Sequence, residues 1–570
     1  MLLALLPYLN CLGNGYVYDD NFLILKHPAL VGPFDLAKIL AAPYWGEIHS
    51  ALLWRPLTTL SFSLGPQLGI DSAFLPHLIN LALHALVTVL WYRLLLRLFA
   101  QANVAWAAAA IFAVHPLHTE AVTWISGRAE LLCGAFSLAA LHLALSEERR
   151  LRWLSPLAVL LAVGAKESAI TLPMLLFAIG RTGRPAQSGP ASSSRRAPTL
   201  GLALASLIPI AFYVVLRHQV LGSWSAPATD AADNPMIGTN LIQRFPTILD
   251  CAGRYLGLTL WPARLAADYS APVLSLLRAP TGFMGLGAIA LLGLVALTVR
   301  RRERIEGWGA TFTLISYAVA SNVPVPIGTI FAERLFYLPS AGLILVCVAA
   351  VAALARSRPA LLRPALALLV VVIVAGAART WVRNVDWRDE ASFFKAGAAA
   401  QPKSPKLQAG VAVVFNREHR PEEALAQAAM AMQLDPTALP QRETYAATLE
   451  LLGRTDEALA FLRDVVARDP RDRASRKRLL VLLDGRGMHD EATAVAADGL
   501  AKDPGEIYWS VAAAKAAQSA ATTMRRVPRG PKWCGSLPTR RTAPLYHAFC
   551  LLWSRSLGGG EGRLRRGPAS

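Results

Sequence analysis

Long apolar stretches recur through the first 380 residues, and they constrain the fold more than any other feature. A helix crossing a bilayer needs about 20 apolar residues, or about 17 at the short end. Such stretches fall at roughly 76–98, 103–116, 129–146, 153–166, 167–180, 199–217, 281–299, 309–326, 339–355 and 363–380. Met1 to Leu12 makes about eleven. That first segment is too short to span by itself and lacks the basic region of a signal peptide, so a first helix truncated at this start site is expected. The segment 246–262 is apolar too, but counting it would break the alternation of charge; it reads as an interfacial or re-entrant helix.

Only 17% of the 570 residues are charged, against about 25% in soluble domains. The deficit lies before residue 380, so lipid is expected around the first part and water around the second. The net charge of +19 could suggest nucleic acid, but the basic residues sit mainly in short loops between apolar segments, where they set topology. No nucleic-acid partner is expected. The cysteines (Cys11, Cys133, Cys251, Cys347, Cys534 and Cys550) are scattered without a CxxC pair, which gives neither a disulfide framework nor a zinc site.

The arginine clusters at 149–152, 181–196, 300–304 and 356–363 fall on one face if eleven segments span. That face is cytoplasmic by the positive-inside rule. Residues 13–75, 115–130, 218–280, 327–338 and everything after 380 then share the other face.

Beyond residue 380 the sequence repeats. Pro436, Pro470 and Pro504 keep a 34-residue step, as do Ala424, Ala458 and Ala492, and Pro402 extends the proline series backwards. That is the period of tetratricopeptide repeats, helix pairs in which a small residue allows close packing and a proline opens a helix. Such arrays stack into an α-solenoid with a concave peptide-binding face. Three regions follow: a membrane domain at 1–380, an extracytoplasmic repeat domain at 381–515, and a basic tail at 516–570. Gly, Pro and Arg dominate the tail, where disorder or an artefactual end is expected. The fold class expected is all-α.

Ionisable residues close to apolar segments are costly and mark candidate sites. The first outer loop begins NGYVYDDN, and Asp19 and Asp20 could act as a general base or hold a metal; a plain Asp-Asp-Asn turn is the alternative. A partly dry setting would raise a carboxylate pKa and make it a usable base. The next motif-rich loop, HPLHTEAVTWISGRAEL, crowds His115, His118, Glu120, Arg128 and Glu130 together. Its histidines flank a proline rather than forming an HExxH helix, so they order the loop rather than bind zinc. Arg55 lies in WRPLTTLSF, Lys166 and Glu167 in AKESAITLP, Arg254 in GRYLGLTLWP, and Glu333 and Arg334 in AERLFYLPSAG. Arginine suits a phosphate at the membrane surface, although each could equally anchor at the interface or pair with a nearby glutamate.

The segments GNGYVYDDN, WRPLTTLSF, PHLINLALHAL, AVHPLHTEAVTWISGRAELL, GAKESAITLPMLL, GRYLGLTLWPARLAADYS, SNVPVPIGTIFAERLFYLPSAG and RNVDWRDE occur in this order before the repeats. Over nearly all of residues 10–510 the chain resembles the transmembrane and tetratricopeptide-repeat-containing O-mannosyltransferases and their bacterial relatives, membrane glycosyltransferases of the GT-C class. The resemblance implies a polyprenyl-phosphate-linked hexose donor, typically mannose, and Ser or Thr hydroxyls of proteins as acceptors. It implies catalysis by an acidic pair, with no metal and no cofactor. Asp19 takes the role of base and Asp20 that of orienting the acceptor or nearby cations. Arg128, Arg334 and Arg55 are assigned to the donor phosphate by charge and topology, with His115, His118, Glu120, Glu333, Lys166 and Glu167 in support. The protein acceptor would be bound by the repeats. The location implied is multi-pass in a membrane, the inner membrane of a bacterium or the endoplasmic reticulum of a eukaryote. A lipid or surface-glycan acceptor, a non-catalytic scaffold and a transporter are the competing readings.

Overall fold

The computed structural model describes residues 1–46, 52–67, 72–182, 196–224, 234, 236–269, 282–470, 472–502, 508–512 and 515. The described residues are helical with no strand among them, so the chain is all-α. The chain divides into two compact units, Met1–Val414 and Phe415–Ser570.

In the first unit five helices are long and apolar enough to cross a membrane: Phe74–Phe99, Thr199–Leu221, Gly282–Arg300, Glu333–Ser357 and Pro359–Val385. Two of them bury almost none of their apolar surface within the protein. Ile289, Leu292, Val371 and Val374 point outward along them, which is stable only in a lipid solvent. The protein is therefore an integral, multi-pass membrane protein.

Several of the other expected spans are shorter than a crossing requires. The segment 153–166 gives a helix of 11 residues, Ser155–Ala165, because Lys166 adopts an extended backbone and ends it. At 1.5 Å per residue such a helix falls short of a hydrocarbon core about 30 Å thick. Residues 167–180 begin as a 3-10 turn before Leu172–Ile179, and 309–326 shortens to Ile305–Tyr317. The apolar 246–262 segment belongs to an amphipathic helix, Leu241–Leu260, which opens on an Asn240–Gln243 capping box and buries Arg244, Thr247 and Asp250.

Small residues bring the helices of this unit together, as expected where lipid gives no hydrophobic drive to helix association. Ile305–Tyr317 crosses Glu333–Ser357 at Gly309 and Gly342. A Cβ on Gly309 would lie 2.8 Å from the Gly342 carbonyl oxygen, and one on Gly342 would lie 2.5 Å from Thr313 Oγ1. Around this crossing Trp91 packs on Phe312 at a centroid distance of 4.7 Å, with Trp308 and Tyr337 fully buried beside it.

The helix Leu362–Val385 ties the start of the chain to its neighbours. Asn384 donates to the Pro7 carbonyl at 2.8 Å, its own carbonyl accepts from Asn14 at 3.0 Å, and its side-chain oxygen accepts from Thr123 at 2.6 Å. Beyond the boundary expected at 380, Glu390–Ala400 and the start of Pro405–Arg417 lie within this first unit.

In the second unit the 34-residue step reappears in the helices. Pro421–Leu434, Thr455–Arg468 and His489–Lys502 begin at successive steps, with Leu439–Leu451 and Arg473–Gly485 between them. Ala424, Ala458 and Ala492 are fully buried where each helix meets its neighbours. Pro504 and the tail at 516–570 lie outside the described residues.

Overpacking a tight crossing costs about 1–3 kcal/mol. Gly342→Val is expected to destabilise by at least that much in thermal unfolding of the detergent-solubilised protein. Gly293→Ala, where a Cβ meets nothing within 4 Å, is expected to be neutral.

Candidate functional site

The first loop leaves the opening segment and turns sharply at Tyr18, whose φ of 53° lies in the left-handed region that non-glycine residues seldom occupy. The ring holds this conformation by stacking on Phe393 at 5.2 Å, with Phe394 edge-on at 6.0 Å. The turn sends the next two carboxylates in different directions.

Asp20 is fully buried. One oxygen accepts from Ser126 N at 2.9 Å and Ser126 Oγ at 2.5 Å, and the other from Val17 N at 3.1 Å. Its carboxylate therefore joins the first loop to the 115–130 loop.

Asp19 keeps partial access to solvent, and among the described residues its carboxylate accepts no hydrogen bond. Burial pushes its carboxyl up to about 7. Arg334 and Lys406 oppose that rise, and Asp20 and Glu120 add to it. Burial also pushes Asp20 up to about 7, against the hydrogen bonds from Ser126 and Val17.

The 115–130 loop is held from the helix Phe74–Phe99. Asn80 Nδ2 reaches the carbonyls of Val122, Trp124 and Ile125 at 3.2, 3.0 and 3.4 Å. Gly127 is needed because a Cβ there would meet the Ala121 and Glu120 carbonyl oxygens at 2.5 and 2.6 Å.

Three ion pairs from separate segments surround the Asp pair. Arg334 pairs with buried Glu120 through Nη1, and its backbone N–H donates to the same carboxylate at 2.8 Å. Its guanidinium lies over Trp124, 5.2 Å from the ring centroid. Arg55 pairs with Glu167 at 2.9 Å and stacks on Tyr44 at 4.8 Å. Lys166 pairs with Glu130. Lys166 feels both Arg55 and Arg334, and Tyr44 feels both Asp19 and Asp20, so the structure gathers these groups into one electrostatic cluster. Cations and carboxylates this deep need partners, because an unpaired buried charge costs several kcal/mol.

Other expected site residues go elsewhere. Arg128 is expected on the donor phosphate; it is 1% exposed, and each of its three nitrogens makes a hydrogen bond within the protein. Nε donates to Asn80 Oδ1, Nη1 to the Ser61 carbonyl and Nη2 to the Pro76 carbonyl, each at 2.8 Å. These bonds make the side chain a strut between loops and leave one N–H on each terminal nitrogen.

His115 and His118 order the loop from within the core. His115 Nε2 meets the Thr259 carbonyl at 2.9 Å, and His118 bridges the Phe112 carbonyl and Ser340 Oγ at 2.9 and 2.8 Å. Glu333 turns from the pair to accept from Ala266 N at 2.6 Å and Tyr269 Oη at 2.7 Å. Arg254 bonds Asp250 one turn back on its own helix, at 2.5 Å. Among the described residues no three His, Cys, Asp or Glu side chains converge as metal ligands would.

Sequence reasoning passed over Ser126, Asn80, Tyr44 and Lys406. Ser126 lay inside the quoted WISGR motif and could have been singled out as a donor to a nearby acid. Nothing in the sequence ties Lys406 to Asp19.

Asn in place of Asp20 would set an amide N–H against the Val17 N–H or the Ser126 donors. Asp20→Asn is expected to destabilise the protein by about 1–3 kcal/mol. Asp19→Asn, with no bond to lose, is expected to leave the unfolding temperature in detergent unchanged.

The chain is 29% identical over 448 residues to the Caenorhabditis elegans Protein O-mannosyl-transferase F38B6.6, which covers 76% of this chain and 62% of that protein. It is 29% identical over 483 residues to the mouse Protein O-mannosyl-transferase TMTC3, covering 79% and 52%. It is 30% identical over 497 residues to the Drosophila melanogaster Protein O-mannosyl-transferase Tmtc3, covering 73% and 53%. The chain thus spans less than two thirds of the length of these relatives. No family model and no solved structure matches it. Over about three quarters of its length, the chain is similar to proteins named as TMTC protein O-mannosyl-transferases.

Proposed function

We propose that the protein transfers a hexose, mannose by analogy with the relatives' names, from a polyprenyl-phosphate donor to Ser or Thr hydroxyls of proteins. The observation that carries this reading is Asp19: a carboxylate without a hydrogen-bond partner among the described residues, partly open, within a cluster whose other ions are paired or bonded.

An acceptor hydroxyl is a poor nucleophile near neutral pH and needs a base whose pKa lies close to the working pH. Burial puts the Asp19 carboxyl at about 7, in that range. In the proposed step the acceptor O–H proton passes to Asp19 as the oxygen bonds to the anomeric carbon. The bond from that carbon to the phosphate oxygen breaks, and the electron pair leaves with polyprenyl phosphate. One displacement inverts the anomeric centre, through a transition state with oxocarbenium character.

The phosphate gains charge in this step and needs a fixed cation. That role falls to Arg334, which is in electrostatic reach of Asp19 and has Nε and Nη2 without a hydrogen bond among the described residues, and to Arg55, which shares Lys166 with it as an electrostatic neighbour. Asp20 positions Asp19 through the loop and does not meet the substrate. The 34-residue helix pairs are proposed to be tetratricopeptide repeats that bind the acceptor chain.

Transfer from polyprenyl-phosphate mannose to Ser/Thr peptides by the purified full chain tests the reading. Asp19→Asn is expected to abolish transfer while donor binding and folding persist; unchanged transfer would overturn the assignment. The base must be ionised, so the rate should rise with pH and level off above an apparent pKa of about 7. At pH 5 it should be about 100-fold below the plateau, following a single ionisation. A flat profile between pH 5 and 8 would remove Asp19 as the base.

A further inference from the structure

A groove of about 580 Å³, in the range of small-ligand clefts, lies at the far end of the helices from the Asp pair. Helix Leu172–Ile179 leads away from Lys166 and Glu167 to Arg181. Helix Ile305–Tyr317 begins just after Arg302, and the chain beyond it leads to Glu333 and Arg334. The groove lies between these two helices, the start of Thr199–Leu221 and the end of Gly282–Arg300.

Its wall is apolar. Met174, Leu204 and Val299 line it, and each is more than half exposed. Trp308 also lines it, fully buried, with an indole N–H that has no partner among the described residues.

The mouth is basic. Arg181 and Arg302 line it, with Glu303 beside them, so the local charge is positive. Neither arginine makes an ion pair among the described residues, whereas neighbouring Arg301 faces Glu306 at 3.7 Å. A Cβ on Gly180 would collide with the Thr199 side chain, so the two helix ends that frame the mouth are in direct contact and the opening is held in shape.

An apolar slot at lipid depth under two guanidinium groups that make no ion pair among the described residues, one of them resting on the Phe177 ring at 5.4 Å, matches one chemistry, a phosphate headgroup with an attached acyl chain. We infer that this groove binds one anionic phospholipid, its acyl chain against Leu204 and Val299 and its phosphate between Arg181 and Arg302. Basic pockets between spanning helices recognise acidic lipid headgroups in this way, and each basic residue contributes about fivefold in affinity. The groove is separate from the Asp19 cluster, so the inference stands whatever the outcome of the transfer assay.

Native mass spectrometry of the full chain in detergent, with phosphatidylglycerol or phosphatidylcholine added, tests it. Phosphatidylglycerol should bind in preference. Arg181→Ala combined with Arg302→Ala should weaken it about thirtyfold and leave phosphatidylcholine adducts unchanged. Leu204→Trp, which fills the slot and keeps both arginines, should reduce occupancy by both lipids. Arg149→Ala with Arg150→Ala, at another basic turn, should change nothing. Equal binding of the two lipids by the unaltered protein, or undiminished phosphatidylglycerol binding by the double arginine variant with an unchanged unfolding temperature, would overturn the inference.

Discussion

Pairing of charge in a dry place is the constraint on which the first unit depends. Arg55 with Glu167, Lys166 with Glu130 and Arg334 with Glu120 come from segments far apart in the chain. None of these groups could be buried alone, because removing one partner of such a pair leaves an uncompensated charge at a cost of about 3–5 kcal/mol. The pairs therefore fix the register of four loops against one another. Arg128 extends the same logic without a carboxylate in contact, since three neutral oxygens hold its guanidinium. Within this frame Asp20 is bonded from both sides and Asp19 is left over. The site's capacity for proton transfer follows from that asymmetry between adjacent residues.

The same constraint explains the strained turn that separates the two acids. With Tyr18 in an ordinary extended or right-handed conformation, the chain would not change direction between Val17 and Asp19. The ring's stacking on Phe393 and Phe394 offsets a left-handed backbone that carries a cost of about 1–3 kcal/mol. Those aromatic residues follow the last long apolar helix, so the end of the membrane unit shapes a loop at its beginning. Asn384, bonded to Pro7, Asn14 and Thr123, ties the same two regions together by a second route.

Much of the architecture was legible in the sequence because hydrophobic length and the 34-residue step are local signals. Ala424, Ala458 and Ala492 stand out by period alone and are among the buried residues of their helices. The expected spans were less well placed, since apolar composition does not reveal where a backbone such as that of Lys166 turns extended and ends a helix. For the site, charge near the membrane brought the right loops to notice but could not sort the roles within them. Arg128 and Arg334 look alike in sequence, and only the packing of Asn80, Ser61 and Pro76 makes one a strut. Asp19 and Asp20 are likewise neighbours of one type, told apart by Ser126, 106 positions away.

Burial raises the Asp19 carboxyl to about 7 against the opposing charge of Arg334. Infrared difference spectroscopy of the full chain across a pH titration, comparing the protein with its Asp19→Asn variant, measures that protonation without relying on turnover. A protonated-carboxyl band should disappear with a midpoint of about 7 and be absent from the variant. A midpoint near the ordinary aspartate value of about 4 would contradict that elevation.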